Sequence, residues 1–442
     1  MNSRWKWVRS LLCLGALLCV DAGQGNAHIG APDVYVKAQA GPYALLVSVH
    51  PPLATPGAAG IDIRTEDAGV SAVSVSLPAG SMQSLQRFPQ EQIFTGSVWV
   101  ATAGAWRVTI HVSGNRGDAE TTVPVPATTV PGAQASGRGL RLWLWILAGV
   151  IALCVPWLFR RRSRPVAGVA LVVIGAILAA TIFASRKPSA GTPALQLGLQ
   201  SGGKLEITLP GTMQDLLEDH NHLMHLFAVR VPQMDVLLHL HPAQIGPGHF
   251  ETELPSMAGG AFAVYADVVH RDGRLETFTA PAGLPGQAGH VLQGDDSVGV
   301  VPGLNRTQSA TGPGTTTIRL PDGYSMTLDL ASALHPRTGQ LLRFMLRDAA
   351  GNPPTDMQLY MGMAAHAAVL KTDGTVFAHI HPAGTIPMAA YGTNRAGMDM
   401  SAAPASDVSF PFGFPSAGTY RIFLEMKHGG MIETGAFDLL VR

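Results

Sequence analysis

Apolar and polar residues alternate in short runs through most of the chain, as in "AWRVTIHV" (Ala105–Val112), "AFAVYADVV" (Ala261–Val269) and "TYRIFLEM" (Thr419–Met426). A period of two, broken repeatedly by Gly and Pro, predicts β-strands with one face buried, and no long run carries a helical period. Each of the three runs follows a turn with a glycine, Gly104, Gly260 or Gly418. Each then leads through a second turn into another strand: "SGNRGDAETTVPV", "HRDGRLETFTA" and "HGGMIETGAFDL". The last two align Glu276-Thr277 with Glu433-Thr434. One hairpin module therefore recurs in tandem β-sandwich domains; a solenoid would need a much shorter period.

Two stretches break this pattern. Leu142–Phe159 and Pro165–Ala184 carry no charge over membrane-spanning lengths, and "RRRSR" (Arg160–Arg164) lies between them. Taken singly, either run suits a buried soluble helix; as a close pair they predict a transmembrane hairpin over 141–185. The arginine loop places the turn in the cytoplasm and both flanks outside. Neither span holds an ionisable residue, so the hairpin reads as an anchor and not as a transport pathway. Residues 1–27 read as a signal peptide, with Arg4, Lys6 and Arg9 before the apolar run Leu11–Val20 and small residues Gly25 and Ala27 at the cleavage site. The remaining boundaries are 28–126 for a first β-sandwich, 127–140 for a linker, 194–281 for a middle domain, 282–314 for a second linker and 315–442 for the last domain. This topology predicts a chain in a bacterial inner (plasma) membrane with its soluble domains periplasmic.

Composition narrows the function classes. The 442 residues allow two to four domains. Lys+Arg and Asp+Glu balance at 30 each, so nothing points to nucleic acid, and a charged fraction of 14% leans toward a membrane protein. Cys13 and Cys19 fall in the leader and Cys154 in an apolar span, which leaves the exported part without disulfides or thiolate ligands. Metal chemistry there must use His, Met and carboxylates.

Of the 16 histidines, all but His28, His50 and His111 lie between His220 and His428. "DVLLHLHP" in the middle domain and "TVFAHIHP" in the last each hold a His-x-His pair followed by proline. Residues i and i+2 on a strand share a face, so each pair is a natural chelate for copper or zinc. Aligning the domains matches His225 with His366, His239 and His241 with His379 and His381, and His270 with His428. The expectation is one site per domain, His225/His239/His241/His270 and His366/His379/His381/His428. His220 and His222 fall opposite Met361 and Met363. Thioether suits Cu(I), so this exchange favours copper, with zinc the alternative, although ordinary core packing accounts for any one methionine. Met388, Met398 and Met400 follow nearby.

"GQLLRFMLRDAAGNPPTDMQLYMGMAAHAAVLKTDGTVFAHIHP" followed by "FPSAGTYRIFLEMKHGG" resembles the YtkA-like domain family. The resemblance covers Thr315–Arg442, extends more loosely to Ala194–Ala280, and reaches the first domain only in its closing hairpin. It implies exported immunoglobulin-like β-sandwiches with a link to copper or other metal handling. A cleaved amino terminus at His28, with Asp33, His50 and His111 as partners, would also permit a copper brace, against a plainly solvated terminal histidine. The reading as a whole is a membrane-anchored metal-binding protein that buffers, senses or delivers its ion to another periplasmic metal-handling protein. It is not an enzyme, since no general base or nucleophile stands out. A cupin-like metalloenzyme is the first rival, weakened because "HLHPAQIG" and "HIHPAGTI" lack the glutamate that follows the cupin pair. A structural or adhesion module is the second, and predicts histidines that point apart.

Overall fold

The computed structural model describes residues 28–29, 33–126 and 195–442, apart from short stretches at 53–55, 79, 89–91, 103, 201, 212, 272, 287–291, 293, 306–308 and 392–403. The signal peptide, the 127–140 linker and the transmembrane hairpin lie outside the described residues. Among those described, no helix is long and apolar enough to cross a membrane.

Among the described residues the chain is mainly β, with one short helix, Met388–Tyr391. The first domain packs a five-stranded sheet (Val34–Ala40, Tyr43–His50, Gly57–Thr65, Ile93–Val100, Gln86–Phe88) on a four-stranded one (Gly117–Val125, Trp106–Gly114, Val70–Ser76, Gln83–Ser84). The middle and last domains share a different plan, a six-stranded sheet on a four-stranded one, the sixth strand of the last domain's large sheet being His28–Ile29 from the first domain. In each six-stranded sheet a long hairpin (Gly260–His270 with Leu275–Leu284; Gly418–His428 with Met431–Val441) lies beside the strand that opens with histidine (His225–Val231; His366–Lys371). That strand pairs in turn with the His-x-His strand (Val236–Leu240; Val376–Ile380). The hairpin read three times from sequence is present in all three domains.

The two six-stranded sheets depart from the expected pattern, because both of their faces are buried. The inward face fills each domain's own core, with Leu226, Ala228, Leu238 and Val264 in the middle domain and Ala367, Val369, Ala378 and Ile422 in the last. The outward faces meet one another through Phe227, Val229, Leu237 and Tyr265 on one side and Ala368, Leu370, Phe377 and Phe423 on the other. The rings of Tyr265 and Phe377 stack at 4.1 Å between centroids. Removing such side chains from water stabilises the seam by about 1.5–3 kcal/mol for each one fully buried. The same outward face carries the histidines of both His-x-His strands, so the apolar seam brings two chelating strands together.

One boundary needs correction. The 282–314 stretch read as a linker holds the strand Ser297–Val300, which pairs with Val236–His239 and extends the middle domain's six-stranded sheet. The first domain is also no isolated module. His28–Ile29 adds a parallel strand to Val376–Phe377 of the last domain, and Lys37 N–H donates to the Ala383 carbonyl at 2.9 Å. Gly384 allows this docking, with φ of 138°, because a Cβ there would overlap the Tyr35 carbonyl. Gln244 occupies the equivalent place after the middle domain's His-x-His-Pro.

Candidate metal centre

Each His-x-His pair stands at the end of its strand, where Pro242 and Pro382 remove the next backbone donor and stop the ladder. His220 and Met361 occupy equivalent turns, Asp219–His222 and Tyr360–Met363, each closed by a short bridge. In both turns the two central residues have positive φ (53° and 69°, 51° and 77°). That geometry holds His220 out toward the seam.

The structure replaces two separate sites with one histidine cluster in the seam. His220 from the middle domain joins His366 and His381 from the last, and His225, His239 and His241 form a second group. Within each group one ligand atom per residue lies within 4.8 Å of the others. His379 links the groups, its ring centroid 5.2 Å from His225, 5.5 Å from His366 and 4.5 Å from His381. His222 stacks on His241 at 4.0 Å and sits half-buried at the rim beside Asp295.

The hydrogen bonds fix which nitrogens carry protons. His225 Nε2–H donates to the Asp219 carbonyl at 3.0 Å, so its Nδ1 is a lone pair. His239 Nδ1 lies 2.7 Å from Glu425 Oε2 and 3.2 Å from the Tyr360 oxygen. The Tyr360 hydroxyl gives its own proton to the Asp295 carbonyl, so with Glu425 ionised His239 Nδ1 is the donor and Nε2 the lone pair. These two lone pairs face each other at 3.3 Å. That separation matches the edge of a tetrahedron with metal–nitrogen bonds of 2.0 Å, about 3.3 Å. His241 gives Nδ1–H to Asp296 at 3.0 Å, and His220 gives Nδ1–H to the Met361 carbonyl at 2.7 Å. Such outer partners orient metal-bound imidazoles and raise their basicity.

The remaining nitrogens have nothing to bond. Nε2 of His220, His241 and His379 and both ring nitrogens of His366 and His381 are buried without a hydrogen-bond partner. Burial, reinforced by the neighbouring imidazoles, pushes His225, His239, His366, His379 and His381 well below the ordinary imidazole range and His241 to about 3. The rings are therefore neutral and ready to coordinate. Each unsatisfied buried group costs about 1–3 kcal/mol, a cost that a shared cation would remove.

Two acids that the sequence reading passed over complete the surroundings. Asp267 and Glu425 occupy equivalent registers, opposite His225 and His366. Each reaches across the seam to the other domain's His-x-His strand. Glu425 bonds His239, and Asp267 lies 3.8 Å from His379. The Ser297 hydroxyl donates to Glu425 and the Thr277 hydroxyl to Asp267. Burial still pushes Glu425 up to about 8 and Asp267 to about 7.

Four of the expected ligands lie elsewhere or act differently. His270 has both ring nitrogens taken, by Asp215 at 3.0 Å and Glu276 at 2.9 Å. His428 stacks on Tyr324 beside Asp322 at the far end of the last domain's hairpin strand. Strand geometry explains both displacements: each residue lies three positions beyond the seam-facing carboxylate, Asp267 or Glu425, and so projects from the opposite face. Met363 packs in the first domain's core with Ile386 and Met388. Met361 is buried and meets the cluster through its carbonyl, which accepts from His220. Met398 and Met400 lie outside the described residues. In the first domain, His50 sits between Asp33 at 3.0 Å and Asp62 at 3.2 Å, while His111 pairs with Glu120 on the other sheet, so of the partners considered for a brace Asp33 and His50 meet and His111 stands apart.

Residues 316–442 match a family described as Domain of unknown function (DUF8832). No curated protein matches the chain. Among solved structures, Salmonella alpha-2-macroglobulin reacted with methylamine is similar at 10% identity and a TM-score of 0.24, over 94% of this chain and 24% of that one. The chain thus spans about a quarter of that protein's length. The chicken CNTN1 FN1–FN3 domains are similar at 6% identity and a TM-score of 0.15, over 92% and 98% of the two chains. The ICAM-5 D1–D4 ectodomain fragment gives 9% identity and a TM-score of 0.16, over 90% and 76%. No enzyme family is indicated.

Proposed function

We propose that this protein is a membrane-anchored, extracytoplasmic metal-binding protein, with copper as its ion and zinc the second choice, held in the seam between its middle and last domains. Its domains are immunoglobulin-like sandwiches of the YtkA-like kind. The reading rests on one observation, the set of buried imidazole nitrogens that face one another without a hydrogen-bond partner. An adhesion module would turn these rings apart; here they crowd. An all-imidazole set binds copper above zinc in the usual order of affinities. Ligands drawn from two domains suit buffering, sensing or delivery, because sliding the seam opens the site without unfolding either sandwich.

The first domain's contact with the last restricts the topology that the anchoring proposal can take. Residues 28–126 precede the apolar spans and residues 315–442 follow them, and they touch through Val376–Phe377 and Ala383. Segments flanking a membrane anchor meet only if the chain crosses an even number of times, as a hairpin does.

The test is metal analysis of the full chain, purified in detergent without a histidine tag, followed by competitive titration with Cu(I), Cu(II) and Zn(II). Tight binding that His239→Ala and His366→Ala each remove is the expected result. Binding that survives both substitutions refutes the seam as the site. Alkaline phosphatase fused after Arg162 should be inactive, and after Gly202 active; the reverse pattern overturns the anchoring proposal.

A further inference from the structure

We infer that the last domain carries a second cation site, separate from the histidine seam, in which Asp322, Glu433 and His428 bind a hard divalent ion of the Mn²⁺ type. The argument starts from a comparison internal to the molecule. At the end of the middle domain's long hairpin, His270 lies between the carboxylates of Asp215 and Glu276. A cation is already supplied there, because Arg274 Nη1 reaches Glu276 at 2.6 Å.

The last domain repeats this arrangement with its charge altered. Glu433 aligns with Glu276, since Val269 pairs with Leu275 as Lys427 pairs with Ile432. Asp356 aligns with Asp215, because Leu216 pairs with His270 as Met357 pairs with His428. The place of Arg274, however, is taken by Met431, which is 56% exposed and points to solvent. A further carboxylate, Asp322, enters from the turn before Ser325–Leu330. The result is three acids around one imidazole, with the guanidinium gone.

The second observation is the imidazole itself. His428 is only 6% exposed, and its Nε2 is buried without a hydrogen-bond partner. Asp322 Oδ2 lies 3.2 Å away but out of line for a bond. One ligand atom from each of Asp322, His428 and Glu433 falls within 4.8 Å of the others, and Asp356 Oδ2 stands 3.7 Å from His428 Nδ1. Burial and the neighbouring Asp322 push Glu433 above the usual carboxylate range. Tyr324, stacked on His428 at 4.1 Å, fixes the ring. Two oxygens and one nitrogen, open to water on the Asp322 side, suit Mn²⁺ better than the all-nitrogen seam does.

The experiment uses the full chain and Mn²⁺ itself, read by loss of the free-ion electron paramagnetic resonance signal. Wild type should bind one equivalent. Asp322→Asn, at an exposed position, and Glu433→Gln should each weaken it at least tenfold. Met431→Arg restores the middle domain's internal cation without removing a ligand, and should weaken Mn²⁺ binding as strongly. His366→Leu in the seam should leave it unchanged. Equal Mn²⁺ binding in wild type, Asp322→Asn and Met431→Arg overturns the site, as does loss of the Mn²⁺ equivalent in His366→Leu. Thermal unfolding of each variant identifies a misfolded protein, and Met431→Arg, which alters only the surface, decides the matter if a ligand variant fails to fold.

Discussion

The turns Asp219–His222 and Tyr360–Met363 have the same backbone in two domains, yet their side chains go to different places. In the middle domain His220 enters the metal cluster and His222 stands at its rim. In the last domain Met361 offers its carbonyl to His220, and Met363 leaves the seam for the first domain's core. The difference follows from what packs outside. The last domain receives the first domain against Gly384, whereas Gln244 stands at that place in the middle domain. A duplicated scaffold fixes where a residue sits; the neighbour that docks on it decides whether that residue ligates or packs.

The largest expected effect separates the two groups of the cluster. His366→Leu keeps the volume and removes a ligand from the group that crosses the seam. Metal affinity should fall by more than the roughly 10–100-fold that loss of an outer partner costs. The metal-free protein should gain about 1–3 kcal/mol, because two unsatisfied ring nitrogens disappear from a buried site. Chemical denaturation without metal and competitive titration with it report the two effects. A loss of stability in the metal-free protein would mean that His366 has partners in solution.

The pH dependence of the metal-free protein comes next. Six buried histidines have folded pKa values lowered from 6.5, so the unfolded chain binds more protons and stability rises with pH up to about 6.5. Glu425 and Asp267 act in the opposite sense. Their folded values of about 8 and about 7 lie above the unfolded ones, so the folded state holds the extra proton and stability falls as pH rises toward 8. Below 6.5 the histidines outnumber the carboxylates and prevail. Above it only the falling branch remains. Glu425→Gln should flatten that branch over pH 6.5–8, and Asp267→Asn should flatten less of it. Urea midpoints measured across that window test the comparison, and a branch unchanged by both substitutions removes the acids from the account.

Gly384→Gln places the middle domain's residue in the last domain. It adds a Cβ where the Tyr35 carbonyl lies, at a φ of 138°. About 1–3 kcal/mol should be lost, as proteolytic release or faster exchange of the first domain, with metal affinity preserved. Loss of metal binding would show that the first domain supports the seam directly.

The strands, the recurring hairpin and the His-x-His pairs were legible because each depends on local sequence alone. The seam was not. Alternation describes one face toward a core and one toward water, whereas Val236–Leu240 and Val376–Ile380 are buried throughout. The unbroken apolar runs "VLLHL" and "VFAHI" record that second contact, and aligning the domains for histidine alone assigned a separate site to each. Asp267 and Glu425 were readable on the same alignment, as acids three residues before His270 and His428 within mostly apolar runs. Asp295, Asp296 and Ser297 were not, since they lie in a stretch whose Gly- and Pro-rich flanks resemble a linker.

The smallest effect concerns the His220/Met361 exchange that first suggested copper. The two turns are equivalent, so His220→Met gives both halves of the seam a methionine, and Met361→His gives both an imidazole. Removing the His220 ring takes nitrogen from the His366/His381 group and should shift preference toward Cu(I); Met361→His should shift it toward Cu(II). A tenfold change in the ratio of the two affinities corresponds to about 1.4 kcal/mol, within reach of one ligand's change in type. Met363→His serves as the control. Its side chain packs in the first domain's core, so it should lower stability and leave the ratio unchanged. Competition titrations of each variant with both copper ions give the ratios. Equal ratios in wild type, His220→Met and Met361→His would reduce the exchange to a difference in packing, with the other imidazoles alone setting the choice of ion.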